Sequence, residues 1–270
     1  VGTTVAGTGG DITFSVNPAA TTTYNVLATV VATTCSVEMT DKSTVTVNAL
    51  PAQKVVSDPS TCVGTAVNIT LTGSVTGVSY QLRLDSDDSN VGAAVVGTGG
   101  DITFSVNPAS TTTYNVLATV VATTCSLEMS DKSAVTVNTL PALPTVSAIE
   151  YCQNVSATAL TATALANHTL QWYGTNSTGG TASTTAPTPV TTAVGATSYY
   201  VSQKNNITGC EGARATITVT VNALPALPTV SNIGYCINEA ATALTATALA
   251  NHILQWYGTN STGGTASATA

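Results

Sequence analysis

GTGGDITFSVNPASTTTYNVLATVVATTCSLEMSDKSAVTVNTLP, residues 97–141, decides the fold of this chain, and the chain carries it twice. Residues 7–51 hold the same 45 positions with five substitutions, at an offset of 90. Inside the stretch, apolar and polar residues alternate over Ile102–Val106, Tyr114–Val121 and Ala134–Asn138. A period of two with β-branched residues marks strands with one buried face. Repetition this close to verbatim marks an array of small units of one kind. An enzyme cleft needs unlike groups converging once, so copying on this scale points to reach instead of chemistry.

Working outward, a second theme starts at ALPTVSAIEYC (residues 142–152) and returns as ALPTVSNIGYC (226–236), an offset of 84. The same joint closes three strands: Val47–Pro51, Val137–Pro141 and Val221–Pro225. Each Pro ends a ladder by removing a donor. The joints divide the chain into a C-terminal part-module (1–51), two whole modules (52–141 and 142–225) and an N-terminal part-module (226–270).

Seven strands fall in each whole module. In the first they lie near Lys54–Ser57, then at Ala66–Thr72, Ser79–Leu84, Val91–Val96, Ile102–Val106, Tyr114–Val121 and Ala134–Asn138. In the second they lie at Thr145–Ile149, Ala157–Thr163, Leu170–Tyr173, Thr181–Thr185, Val190–Val194, Ser198–Gln203 and Ala215–Asn222. ATALTATALAN (157–167) has helix-forming Ala and Leu, but Thr alternates through it. Seven strands in 84 to 90 residues predict an all-β chain of tandem immunoglobulin-like sandwiches stacked end to end. Trp172 and Trp256 suit the large core residue of the third strand. Tyr114 and Tyr199 or Tyr200 suit a tyrosine corner.

Charged residues are 7% of the chain and the net charge is −7 with six basic residues. Such a surface cannot neutralise a row of phosphates, which excludes nucleic acid as the main partner. Hydrophobic residues reach 43%, too many for a disordered tail. No apolar run is long enough for a membrane span. Few lysines and two cysteines per module fit an extracellular, cell-surface setting.

Six cysteines alternate between two places. Cys62, Cys152 and Cys236 precede the second strand, and Cys35, Cys125 and Cys210 lie in the hairpin between the last two. No CxxC or neighbouring His favours metal, so disulfides are expected. Two schemes remain open. Pairing within modules gives Cys62–Cys125 and Cys152–Cys210. Pairing across the joint gives Cys62–Cys210, because the second and sixth strands run the same way and put the two cysteines at opposite poles, roughly 20 Å apart. In either scheme Cys35 and Cys236 take partners outside the sequence.

Asp85, Asp87, Asp88 and Asn90 form the only acidic cluster and are a candidate calcium loop; no other cofactor is expected. The competing reading is a solvated turn. His168 and His252 occupy equivalent turns with no acid or nucleophile beside them in sequence. Trp172-Tyr173 and Trp256-Tyr257 are candidate sugar platforms, but adjacent strand residues face opposite ways. Trp is therefore expected in the core and Tyr outside. No catalytic residue is expected.

Residues 142–225, through YC, LQWYG, TAPTP, TSYYVSQ and GCEGARATITVTVN, resemble the immunoglobulin-like modules of giant cell-surface gliding adhesins of Bacteroidetes. The first module type (TCVGTAVNITLTG, PASTTTYNVLATV) is similar to companion modules of those proteins. The resemblance implies a stalk or filament segment for gliding motility and surface attachment, held at the outer membrane. It implies neighbouring modules, a surface polysaccharide and a cell-envelope motor as partners. The alternative is a carbohydrate-binding module array of a secreted protein.

Overall fold

The computed structural model describes residues 2–269, and no helix occurs among them. In chain order the strands are β1 (Thr22–Tyr24), β2 (Leu27–Thr29), β3 (Ser36–Glu38), β4 (Ser43–Val45), β5 (Ser60–Cys62) and β6 (Val67–Leu71). Next come β7 (Val78–Leu84), β8 (Val95–Val96), β9 (Ile102–Val106), β10 (Thr112–Val120), β11 (Ser126–Glu128) and β12 (Ser133–Asn138). The last six are β13 (Ile149–Cys152), β14 (His168–Trp172), β15 (Gly195–Asn205), β16 (Ala215–Asn222), β17 (Thr229–Val230) and β18 (Ala246–Thr247). The chain divides into two compact units, Val1–Thr139 and Leu140–Ala270.

In the first unit a sheet of order β5-β12-β10-β7-β8, with β11 added to β10, faces the two-stranded β6-β9 ladder. Its pairs are antiparallel except β5, which runs parallel to β12. Ile69, Leu71, Ile102, Phe104 and Val106 from one layer meet Tyr80, Leu82, Val116, Ala118 and Val135 from the other. The alternation read from the sequence is therefore the alternation of a two-layer sandwich core.

In the second unit the sheet order is β13-β16-β15-β14, with β13 parallel to β16. Leu160, Trp172, Tyr199, Val201, Ile217 and Val219 form its core. The opposite layer differs from expectation. Residues 157–163 and 190–194 form no ladder; the bridge Thr145↔Thr163 and scattered bonds hold them, among them Leu160 N–H to Pro187 O at 2.9 Å, Asn154 N–H to Thr191 O at 3.0 Å and Thr191 Oγ1 to Val155 O at 2.6 Å. Pro187 and Pro189 lack the donors that a ladder through TAPTPV would need. Leu160 still lies fully inside the core, worth about 1.5–3 kcal/mol. Apolar burial adds to these scattered hydrogen bonds in place of a ladder.

The flanking part-repeats carry the same residues without their covering layers. Phe14 and Met39 are 45% and 52% exposed, against 5% and 1% for their repeat equivalents Phe104 and Met129. The chain is an all-β protein of tandem immunoglobulin-like sandwiches.

Candidate functional site

The cysteines are the best-defined chemical groups of the chain. Cys62 and Cys210 are disulfide-bonded, whereas Cys35, Cys125, Cys152 and Cys236 are free thiols. Register sets how far apart the cysteines of one module lie. Cys152 stands opposite Asn222, at the C-terminal end of β16. Cys210 precedes the N-terminal end of that strand, where its carbonyl accepts from Asn205 N–H at 2.8 Å. An eight-residue strand puts them roughly 20 Å apart, beyond a disulfide's reach. Cys62 stands opposite Asn138, while Cys125 lies past Val120 at the far end of β10.

The hairpin carrying Cys210 is seated on Pro141. A Cβ on Gly212 would lie 2.3 Å from Pro141 O, so only glycine lets the two backbones come so close. The Gln203 side chain, fully buried, donates to Ala142 O at 2.7 Å and accepts from Leu165 N–H at 2.8 Å. Sequence reading identified the cysteines but not Gln203. A Gln at an inward position of a β-branched strand is the signal that marks it.

At the acidic turn, Lys132 Nζ binds Asp85 at 2.5 Å and Arg83 binds Asp88 at 3.2 Å and Glu128 at 2.6 Å. Asn115, buried beneath, donates to Asp88 at 2.7 Å and accepts from Arg83 Nε at 3.0 Å. Asp87 accepts from Ser89 N–H, and Asn90 forms a backbone bridge to Arg83. The Lys132 hydrogen bond holds the Asp85 carboxyl below its ordinary range, and the bonds from Ser89 do the same for Asp87. The carboxylates of this turn are engaged within the chain. Protein cations and amides occupy the carboxylates, and among the described residues no three His, Cys, Asp or Glu groups gather as a metal site.

Trp172 lies in the core as expected, but Tyr173 is buried too. The correction has a clear cause. Arg214 stacks on the Tyr173 ring, 3.3 Å from its centroid. Its guanidinium donates to Asn176 O and Gly179 O, both at 2.7 Å. Tyr173 and Ser202 hydroxyls both donate to Glu211 Oε1. The face that could stack on a sugar is therefore closed by an arginine. Glu211 and Arg214, three residues apart in a charge-poor stretch, were the available signal. Tyr257, its equivalent at 226–269, is exposed.

The remaining ionisable candidates are held separately. His168 Nδ1 contacts Ala166 O at 2.7 Å and His252 Nδ1 contacts Ala250 O at 2.9 Å, each within its own turn. Asp58 accepts from Ala134 N–H, and Glu150 from the Asn222 side chain. No helix among the described residues is long and apolar enough to cross a membrane.

Residues 141–223 match the family described as Ig-like domain CHU_C associated. No curated protein matches the chain. Among solved structures, the chain is similar to the I9–I11 tandem of titin, with 12% identity and a TM-score of 0.36, covering 78% of this chain and 76% of that one. It is similar to the fibronectin(III)-like modules of Clostridium thermocellum CbhA at 13% identity and TM-score 0.31, covering 62% and 91%. A titin I67–I69 variant gives 10% identity and TM-score 0.30, covering 63% of this chain and 64% of that one. With a family match over residues 141–223 and sheet topology of the same kind at 52–139, the chain is an immunoglobulin-like repeat protein.

Proposed function

We propose that the chain is a load-bearing stretch of a cell-surface adhesive fibre, divided into modules at 1–51, 52–141, 142–225 and 226–270. Its setting is extracellular at the outer membrane, and its work is attachment during gliding motility. The observation that carries this reading is the repetition itself: 40 of 45 positions recur at an offset of 90, including turn and surface residues that packing alone does not dictate. Neighbouring modules are its first partners, with a surface polysaccharide and an envelope motor acting through other parts of the assembly.

The same reading ties modules together through Cys62–Cys210. Both cysteines are disulfide-bonded and the other four are thiols. Cys62 is in register with Asn138 and the Cys210 hairpin is seated on Pro141.

The test is to vary module number in cells that glide. Deleting 142–225 in frame should shorten the reach of the surface fibre and weaken attachment in proportion to the modules lost. Attachment that is abolished by losing one copy, or indifferent to copy number, would overturn the proposal.

A further inference from the structure

We infer that the two module types answer tension differently: 52–141 is a strut, and 142–225 is the element that yields first. The inference rests on the proposed place in a fibre under load only for its use. The mechanics follow from the bonds inside each module.

In 52–141 the entering segment and the leaving strand lie side by side and run the same way. β5 pairs with β12 over only three residues, but further bonds continue the contact along 53–63 and 128–138. Gln53 donates to Glu128 O at 3.3 Å and accepts from Ser130 N–H at 2.8 Å. Lys54 N–H meets Met129 Sδ at 3.2 Å. Val56 N–H donates to the Asp131 carboxylate at 2.8 Å, and Ala134 N–H to that of Asp58 at 2.7 Å, so each segment gives the other a charged acceptor. Ser133 Oγ donates to Ser57 O at 2.6 Å. Thr136 N–H donates to Pro59 O and Val63 N–H to Asn138 O, both at 3.0 Å. The side-chain partners stay 75 to 77 residues apart throughout, which is the mark of a parallel seam.

Tension enters this module before Gln53 and leaves it after Asn138. It therefore draws 53–63 one way and 128–138 the other. All bonds of a parallel seam are then strained together in shear, whereas bonds met end-on would break one at a time. Forced unfolding is governed by the unfolding rate, and the seam has to part before the sandwich can open.

The second module type lacks the side chains that extend the seam. At an offset of 90, Gln53, Lys54 and Asp58 become Leu143, Pro144 and Ala148, and Pro144 has no N–H to give. At an offset of 84, Asp131 and Ser133 become Ala215 and Ile217. The contact shrinks to the four residues of β13 on β16, with Gln153 N–H to Asn222 O at 2.8 Å and the Asn222 side chain to Glu150 at 3.2 Å. Thr145 pairs instead with Thr163 of the opposite layer. In 7–51, Asp41 and Ser43 stand where Asp131 and Ser133 do, so these seam residues belong to the module type.

The test is force-clamp extension of the whole chain, held by its ends in dithiothreitol. The reductant opens any Cys62–Cys210 tie and puts both modules in the line of tension. Two cooperative steps should remain once the flanking segments have extended. Arg214→Ala should hasten only the earlier one, which assigns it to 142–225. Asp131→Ala should raise the rate of the later step at fixed force about tenfold, as expected for one hydrogen bond to a charged group. Asp131→Asn, whose amide oxygen still accepts, should recover most of that. A core variant at Ile69, Val or Ala, whichever matches Asp131→Ala for stability lost in urea, should raise the rate less. Arg214→Ala acting on the later step, or a single merged step, would overturn the inference. So would an unchanged rate in Asp131→Ala, or equal acceleration by the matched Ile69 variant, which would reduce the seam to general stability. If Asp131→Ala does not fold, the order of the two steps under Arg214→Ala still decides. Attachment indifferent to module number would remove the fibre reading and leave these rates as they are.

Discussion

Arg214 lies flat on Tyr173, its guanidinium carbon 3.3 Å from the ring centroid. The contact converts a ring at a strand end into a buried element of the sandwich. Planar stacking leaves the guanidinium edge free to donate to Asn176 O and Gly179 O, a geometry that an ammonium cannot copy. Arg214→Ala should cost about 1–2 kcal/mol from the stacking and the two hydrogen bonds together. Arg214→Lys should recover less than half of it. Urea unfolding followed at Trp172 measures both, and equal stability of the Ala variant and the parent would refute the role.

The Tyr173 hydroxyl has its pKa raised, chiefly by burial and next by its bond to the Glu211 carboxylate. The folded state therefore keeps a proton that an unfolded tyrosine releases near about pH 10. The stability from this group is complete below that pH and is lost as pH rises through the folded value. Absorbance near 295 nm should show Tyr173 among the last tyrosines to ionise. Glu211→Gln should lower its pKa only in part, because burial persists. Complete normalisation would mean the carboxylate, and not burial, is the main cause.

The Gly212 approach to Pro141 is a backbone contact, with no flexible side chain to give way. Gly212→Ala should cost about 1–3 kcal/mol, the usual range for overpacking, and should loosen the Cys210 hairpin. Amide exchange at Asn205 and Gly209, whose N–H groups close that hairpin, is the readout. Unchanged protection at both would show that the contact is dispensable.

At the acidic turn, Asn115→Ala should cost about 1–3 kcal/mol, because the buried end of Arg83 loses its acceptor and Asp88 a donor. Calcium should leave the unfolding midpoint of the parent unchanged, whereas a resident site would raise it with ion concentration. A calcium-dependent rise that Asp88→Asn removes would restore the calcium reading.

Much of the sandwich was legible because alternation and repeat register agree at the same residues. Ile102, Phe104 and Val106 alternate in sequence and are buried in that order. The short strands β5 and β11 were not legible. Three residues hold too little alternation, and the partner of β5 lies far along the chain. The irregular layer at 157–194 was misread because Thr-rich alternation looks the same whether or not the opposing segment has donors; Pro187 and Pro189 decided it. Tyr173 was misplaced for a related reason. β14 ends at Trp172, so strand alternation no longer governs the next residue. What covers its ring is Arg214, distant in sequence. Cysteine pairing was not legible: spacing favoured pairing within a module and strand direction pairing across the joint, and the sequence alone left both schemes open.

The proposed Cys62–Cys210 tie makes a mechanical prediction. A bond between these residues takes everything from 63 to 209 out of the line of tension when the chain is pulled from its ends. Stretching the oxidised chain should therefore release only the segments outside the bond. Reduction should add the hidden residues, which at the extended length per residue is roughly 500 Å of contour. Single-molecule extension with and without dithiothreitol measures the difference directly. Cys62→Ser should show the full length without reductant, and Cys152→Ser should behave as the parent, because Cys152 is a thiol here. If Cys152→Ser instead exposes new length, the bond lies inside the module after all. If neither variant changes the contour, the modules carry load in series and the tie is absent.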